Sequence, residues 1–266
     1  MMKSRNYIIG VLLLSFSLLA ACSNDSSNEE EENTANAETT ENNVHKVDEN
    51  NEDNNGNNNE EPEEESALDV LNKLAANSSD TDEIYVTDDI VIGEDEEVKP
   101  GIYDLEVTGG SGNIMGERDS VQSLFINWVG GAEGNDAGHP SKIRMILLEG
   151  DSLEFSDISK VKFHAVSEEV EPSNELGIGE FIVGRGIEPG DYELSTNVEL
   201  DPEFDNLGWE ISIYNDETGK TKDQTFTASN DDVVVSLEEG EIISTSYDNT
   251  DYGSSSDDAK LEFKEK

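Results

Sequence analysis

The chain has 266 residues, with 63 Asp and Glu against 16 Lys and Arg, a formal net charge of −47 at neutral pH. That balance excludes nucleic acid as a partner, because binding there depends on Lys and Arg at phosphates, and it opposes direct docking on anionic lipid. With one cysteine in the whole chain no internal disulfide can form, so any fold rests on its own core.

Lys3 and Arg5 give a positive start, and Tyr7 to Ala21 is apolar apart from Ser15 and Ser17. That run is 15 residues long, short of the roughly 20 a helix needs to cross a bilayer. A basic start, a short apolar core and small residues at its end predict a secretory signal peptide over 1–21. The last four residues, Leu19-Ala20-Ala21-Cys22, resemble the lipobox of bacterial lipoproteins. The resemblance implies cleavage just before Cys22 and lipidation of its sulfur with an acyl chain such as palmitate. It would also account for a lone thiol in an exported protein. Acyl chains on Cys22 would hold the protein at the extracellular face of the cell membrane.

Ser23 to Ser66 follows, with 16 acidic residues, 13 Asn and no aromatic residue in 44 positions. Such a segment cannot bury enough surface to offset the entropy of ordering, so 22–66 is expected to be a disordered acidic tether. As a flexible coil its reach is about 35–40 Å. Ala67 to Lys266 carries the remaining 47 acidic and 13 basic residues, a net of −34, so acidity is not confined to the tether. It suits a self-repelling domain in a salt-rich or alkaline exterior as well as one facing cationic partners.

Residues 67–82 begin with a predicted short helix, "SALDVLNKLAAN", capped by Ser66 and carrying Leu68, Leu71, Leu74 and Ala75 on one side. The pattern then changes to period two between Gly, Asn and Asp turns, which predicts strands. An internal comparison divides them. "VIGEDEEVKPGIYDL" (Val91–Leu105) matches "IVGRGIEPGDYEL" (Ile182–Leu194). "SLFINWVGG" (Ser123–Gly131) is set against "WEISIYND" (Trp209–Asp216), "MILLEGDSLEF" against "VSLEEGEIIST", and "KVKFHAV" against "AKLEFKE". Four blocks in one order, about 90 residues apart, read as a tandem duplication. The expected fold is mainly β. Two small antiparallel β-sandwich domains, jelly-roll-like, span 83–168 and 176–266, with 169–175 as linker. Each Pro-Gly reads as a tight turn, with Gly101 and Gly190 free to take positive φ. The unit is similar to the "VGxDIxPGxY" β-domain of secreted proteins and lipoproteins of Gram-positive bacteria. The first copy departs from it in the longer loop between Gly93 and Pro100. The motif builds a turn and carries no chemistry, so the resemblance implies fold and surface location but no reaction.

No catalytic constellation is legible. His45, His139 and His164 are the only histidines and none has a nucleophile or ligand set at recognisable spacing. For metal, Asp248, Asp251, Asp257 and Asp258 in "YDNTDYGSSSDDAK" are the candidate ligands of a Ca²⁺ ion, although the spacing is not that of an EF-hand. For ligand binding, Trp128, Trp209, Tyr214 and Tyr252 are the candidate aromatic platform for glycan or peptide, with core filling as the competing role of the tryptophans. The functional expectation is a membrane-anchored surface lipoprotein that is not an enzyme. Its β-domains would bind a cell-wall polymer or a surface protein. The alternatives are a Ca²⁺-binding or cation-sensing module, and an enzyme or enzyme accessory acting on wall material.

Overall fold

The structure, a computed structural model, describes residues 66–118, 124–166, 169–248 and 256–266. The expected signal peptide, Cys22 and tether lie outside the described residues, as do Asp251 and Tyr252.

The fold is mainly β. A helix, α1 (Ala67–Asn77), precedes the first copy, whose strands are β1 (Ile84–Tyr85), β2 (Ile90–Val91), β3 (Gly101–Glu117), β4 (Ile126–Gly131), β5 (Lys142–Leu147) and β6 (Ser152–Ala165). The second copy comprises β7 (Glu175–Leu176), β8 (Gly179–Ile182), β9 (Gly190–Thr196), β10 (Gly208–Asn215), β11 (Lys220–Thr227), β12 (Val234–Leu237), β13 (Ile242–Asp248) and β14 (Leu261–Glu265). In the second copy β12-β9-β14-β7 form one sheet and β8-β13-β10-β11 the other face of a sandwich. The first copy repeats this order with two long strands, each serving both sheets. The start of β3 lies between β5 and the end of β6, while the end of β3 lies between β4 and the start of β6. β1 and β2 flank β6 as β7 and β8 flank β14 and β13.

This pairing corrects one aligned block. β10 corresponds to the second half of β3, not to β4, and β4 corresponds to β11. Trp128 and Trp209 therefore occupy different rows: Gly112 stands where the second copy has Trp209. The reason is physical. β3 does not stop at the sandwich corner but bends through it, with ladder irregularities between Val107 and Asn113. Gly110 takes φ +85°, and a Cβ at Gly110 or Gly112 would collide with the backbone of Asp157 or Ser156 on β6. Only glycine lets the two backbones approach this closely.

The repeated Pro-Gly-x-Tyr motif also works differently from expectation. Neither Gly101 nor Gly190 has positive φ. Each instead leaves room for the ring of the tyrosine two residues on, which folds back to within 2.8 Å of a Cβ at Gly101 and 3.3 Å of one at Gly190. The hydroxyl then donates to the carbonyl of the residue before proline, Tyr103 to Lys99 and Tyr192 to Glu188, both at 2.9 Å. Each ring meets a core phenylalanine edge-on, Phe163 at 5.7 Å and Phe263 at 5.8 Å, a favoured aromatic geometry. The motif is thus a strut pinning the turn to the core.

The copies share one body. β5 and β8 meet in a single parallel pair, Arg144 with Gly179, which joins strands of both copies into one ten-stranded sheet. Gly179 has φ +130°, and a Cβ there would overlap the Arg144 backbone. Beneath this joint lies a shared apolar cluster. Leu71 and Ala75 of α1 pack there with Ile102, Ile146 and Val166 of the first copy and Ile182, Tyr214 and Ile242 of the second. Ser66 caps the helix as its sequence predicts, accepting from Asp69 N at 3.2 Å. Burying Leu71 alone is worth about 1.5–3 kcal/mol.

Candidate functional site

The turn after β5 and its counterpart after β12 each place a buried acid next to a glycine of positive φ: Asp151 after Gly150, and Glu241 after Gly240. Their carboxylates accept from backbone N–H within the turn, Leu148 N to Asp151 at 2.9 Å and Glu238 N to Glu241 at 2.8 Å. In the second copy Lys222 reaches Glu241 at 3.1 Å from solvent. In the first copy the cation is Arg118, just past the end of β3 and itself buried. It donates to Asp151 at 3.1 Å and to Glu180 of the second copy at 3.1 Å, and to the carbonyl oxygens of Leu124 and Ile146. Glu180 also accepts from Ile146 N at 2.7 Å. Burial pushes the Glu180 carboxyl above its usual range, with Arg118 and the Ile146 N–H opposing. For Arg118 burial works against the charge, but Glu180 and Asp151 outweigh it and hold the guanidinium up. This network clamps the copies together: one guanidinium spans an acid of each copy and two carbonyl oxygens.

Two open sites flank the joint. The first, a cleft of about 530 Å³, lies where β3, β5 and the loop after Leu176 meet the 3₁₀ turn Ser256–Asp258. Arg144 crosses it, bidentate on Asp104 at 2.9 and 3.0 Å and 5.2 Å from the centre of the Phe181 ring. Glu106 receives His164 at 2.7 Å and Lys142 at 3.8 Å. The face is a ladder of opposite charges set by strand register, Asp104 beside Arg144 and Glu106 beside Lys142.

The second site is a groove of about 380 Å³ between β4 and the outer face of β13-β10-β11. The period-two alternation of β4 buries Leu124, Ile126 and Trp128 and turns Phe125 out, 77 % exposed. On the opposite side the register places Ser246, Glu210 and Thr225 in one row and Ser244, Ser212 and Asp223 in the next. Trp128 lines the groove, and its indole N–H is buried with no acceptor among the described residues. An unmet buried donor costs about 1–3 kcal/mol.

The candidate site residues disperse. Trp209 is fully buried against Tyr247, its N–H donating to Thr196 at 3.0 Å. Tyr214 belongs to the cluster shared by the copies. Of the three described members of the expected platform, Trp128 alone borders an open site. Asp248 ends β13, while Asp257 and Asp258 sit in the 3₁₀ turn, where Asp257 accepts from Ser141 N at 2.5 Å. Among the described residues no group of three or more His, Cys, Asp or Glu is placed to hold a metal ion. His139 lies 3.1 Å from the Ser111 hydroxyl, within the first copy's glycine loop. Phe125 was missed, although the phase of the alternation around it carries the signal. Among the described residues no helix is long and apolar enough to cross a membrane. Compared with known proteins, the chain matches no family model, no curated protein and no solved structure.

Proposed function

We propose that the chain is a surface lipoprotein whose paired β units bind a component of the cell wall. Lipid on Cys22 holds it at the extracellular face of a Gram-positive cytoplasmic membrane, and the acidic segment 23–66 carries the folded part outward. The anchoring half rests on the basic start, the short apolar run and the Leu19-Ala20-Ala21-Cys22 motif. The binding half rests on one observation, the open groove beside Phe125, which brings an exposed aromatic ring against a face of hydroxyl and carboxylate groups. Ligand sites combine apolar surface with a few convergent polar groups in this way.

The test is co-sedimentation of a 66–266 fragment with purified cell wall, in Ca²⁺ or in EDTA at matched ionic strength. Retention in both supports the reading. Retention only in Ca²⁺ transfers the function to a cation-bridged contact through the acidic loops. No retention in either overturns wall binding and leaves a surface protein as partner.

A further inference from the structure

The groove is selective in its chemistry as well as open. Of its polar side chains, Ser212, Ser244, Ser246 and Thr225 carry hydroxyls, which donate and accept, while Glu210 and Asp223 accept only. Ser212 already donates to Asp223 within its own row. Among the described residues no Lys or Arg lines the groove, and the whole chain carries −47. A phosphate polymer or another polyanion would meet repulsion with no counter-charge. Glu210 and Asp223 would also attract an ammonium group, and the other cleft, which sets Lys142, Arg144 and Lys260 among its acids, does not compete for one; a loss of affinity with salt would mark such a ligand. What fits the groove is an uncharged chain that presents hydroxyls on its edge and C–H groups on its face. Hydroxyls would meet the Ser, Thr and carboxylate rows. A C–H face would cover Phe125, whose exposed ring otherwise has no partner chemistry in water. The buried indole N–H of Trp128 is an unmet donor in the same wall.

We propose that the groove between β4 and β13-β10-β11 binds an uncharged pyranose chain, with one ring stacked on Phe125 and ring hydroxyls bonded to Glu210, Ser212 and Ser246. This deepens the wall-binding reading and rests on it for the location of the protein.

The experiment is calorimetric titration of the full-length chain in detergent with two uncharged probes, the β-1,4 tetramer of N-acetylglucosamine and cellotetraose. At least one should bind saturably. Phe125→Ala should weaken it by about tenfold or more, the scale of losing an aromatic anchor, and Glu210→Gln should also weaken it. Because the ligand is uncharged, affinity should hold between about 50 mM and 500 mM salt. Phe125 lies outside the core, so its variant keeps the fold. Binding of neither tetramer overturns the proposal, as do unchanged affinities in both variants or a steep loss with salt. Wall sedimentation separates the two ideas. If wild type and Phe125→Ala both sediment with wall while neither tetramer binds, the groove proposal fails and the surface-binding reading stands. If tetramers bind at Phe125 but wild type ignores wall, the location reading fails and the groove proposal stands.

Discussion

In the first copy the chain turns the sandwich corner without leaving the sheets, whereas in the second it leaves at the same two places and returns. β3 runs 17 residues and β6 runs 14, bending together at Gly109–Gly112 and at Asp157, the described non-glycine residue with positive φ. Their counterparts in the second copy are split, β9 from β10 by residues 197–207 and β13 from β14 by residues 249–260. Glycine bends keep the ladder continuous but require close backbone approach that no side chain permits. The inserted residues 197–207 relax that requirement without a close backbone approach. The same contrast holds for the buried acid of each copy. Glu241 answers to a lysine half in solvent, while Asp151 answers to a buried arginine shared with the other copy. One copy is closed on itself; the other is closed by its neighbour.

The largest expected break in this comparison is at Arg118. Arg118→Ala leaves Asp151 and Glu180 buried without their cation, and removing one partner of a buried pair costs about 3–5 kcal/mol. The equivalent change in the second copy, Asn215→Ala, loses a contact of 3.5 Å to Glu241 and two exposed bonds from Thr218 at 3.0 Å, but leaves Glu241 with Lys222, and should cost about 1–2 kcal/mol. Urea denaturation of the two variants should separate them clearly; equal losses would mean that the clamp does not hold the copies together. The pH dependence sharpens the test. Glu180 has a folded pKa raised by burial, so the fold binds its proton more tightly than the unfolded chain does. Its contribution is present in full below the unfolded carboxyl value of about 4.3 and is lost as pH rises through the raised value. Without Arg118 to oppose burial, that decline should steepen in Arg118→Ala and be reduced in Arg118→Ala/Glu180→Gln, which keeps only Asp151 as a buried acid at the clamp.

The next largest effect lies at the joint itself. Gly179→Ala places a Cβ on the Arg144 backbone at φ +130° and should cost at least about 2 kcal/mol. Gly219→Ala, at φ +62° with open space around it, should cost about 1 kcal/mol. The difference measures how much the single parallel pair contributes to fusing the copies. If thermal melts of the two variants coincide, the close approach at Gly179 is not stabilising the joint.

Much of each copy was legible in sequence because its devices are local. The Pro-Gly turns, the Leu-x-Gly-Asp and Leu-x-x-Gly-Glu turns and the capped helix each lie within a few residues, where turn chemistry and alternation are readable. What the turns do is not, since the tyrosine strut needs the core, and the strands on either side of each acidic turn, which read as hairpins, pair with other strands and not with each other. The second block was misaligned because the true counterpart of β10 was hidden in the second half of a strand that turns a corner on glycines. The fusion of the copies was not legible at all. Arg118 and Glu180 are 62 positions apart, and with 63 acids in the chain no single glutamate stands out. Nor does any local pattern announce that Gly179 will lie against Arg144. At the groove, alternation pointed Phe125 outward, but the hydroxyl rows opposite come from three strands of the other copy and assemble only in the fold.

The smallest effect tests whether the copies are equivalent where they look most alike. Tyr103 and Tyr192 make the same hydroxyl bond at the same distance and the same edge-on contact. Burial raises the pKa of both phenols, so both hydroxyls keep their proton and donate throughout the neutral range. Tyr→Phe at either site keeps the ring and removes one hydrogen bond, a loss of about 1 kcal/mol. If the strut is one device used twice, Tyr103→Phe and Tyr192→Phe should destabilise by amounts within about 0.5 kcal/mol of each other, and the double variant should show their sum. If Tyr103→Phe costs clearly more, the difference belongs to its surroundings. Gly101 is wedged between that ring and the Ser78 hydroxyl, which also accepts from Ile102 N at 2.8 Å, so the first strut is tied to the end of α1, whereas the atoms nearest a Cβ at Gly190 among the described residues all belong to Tyr192. Unequal losses would then show that the helix, like Arg118, makes the first copy depend on what lies outside it.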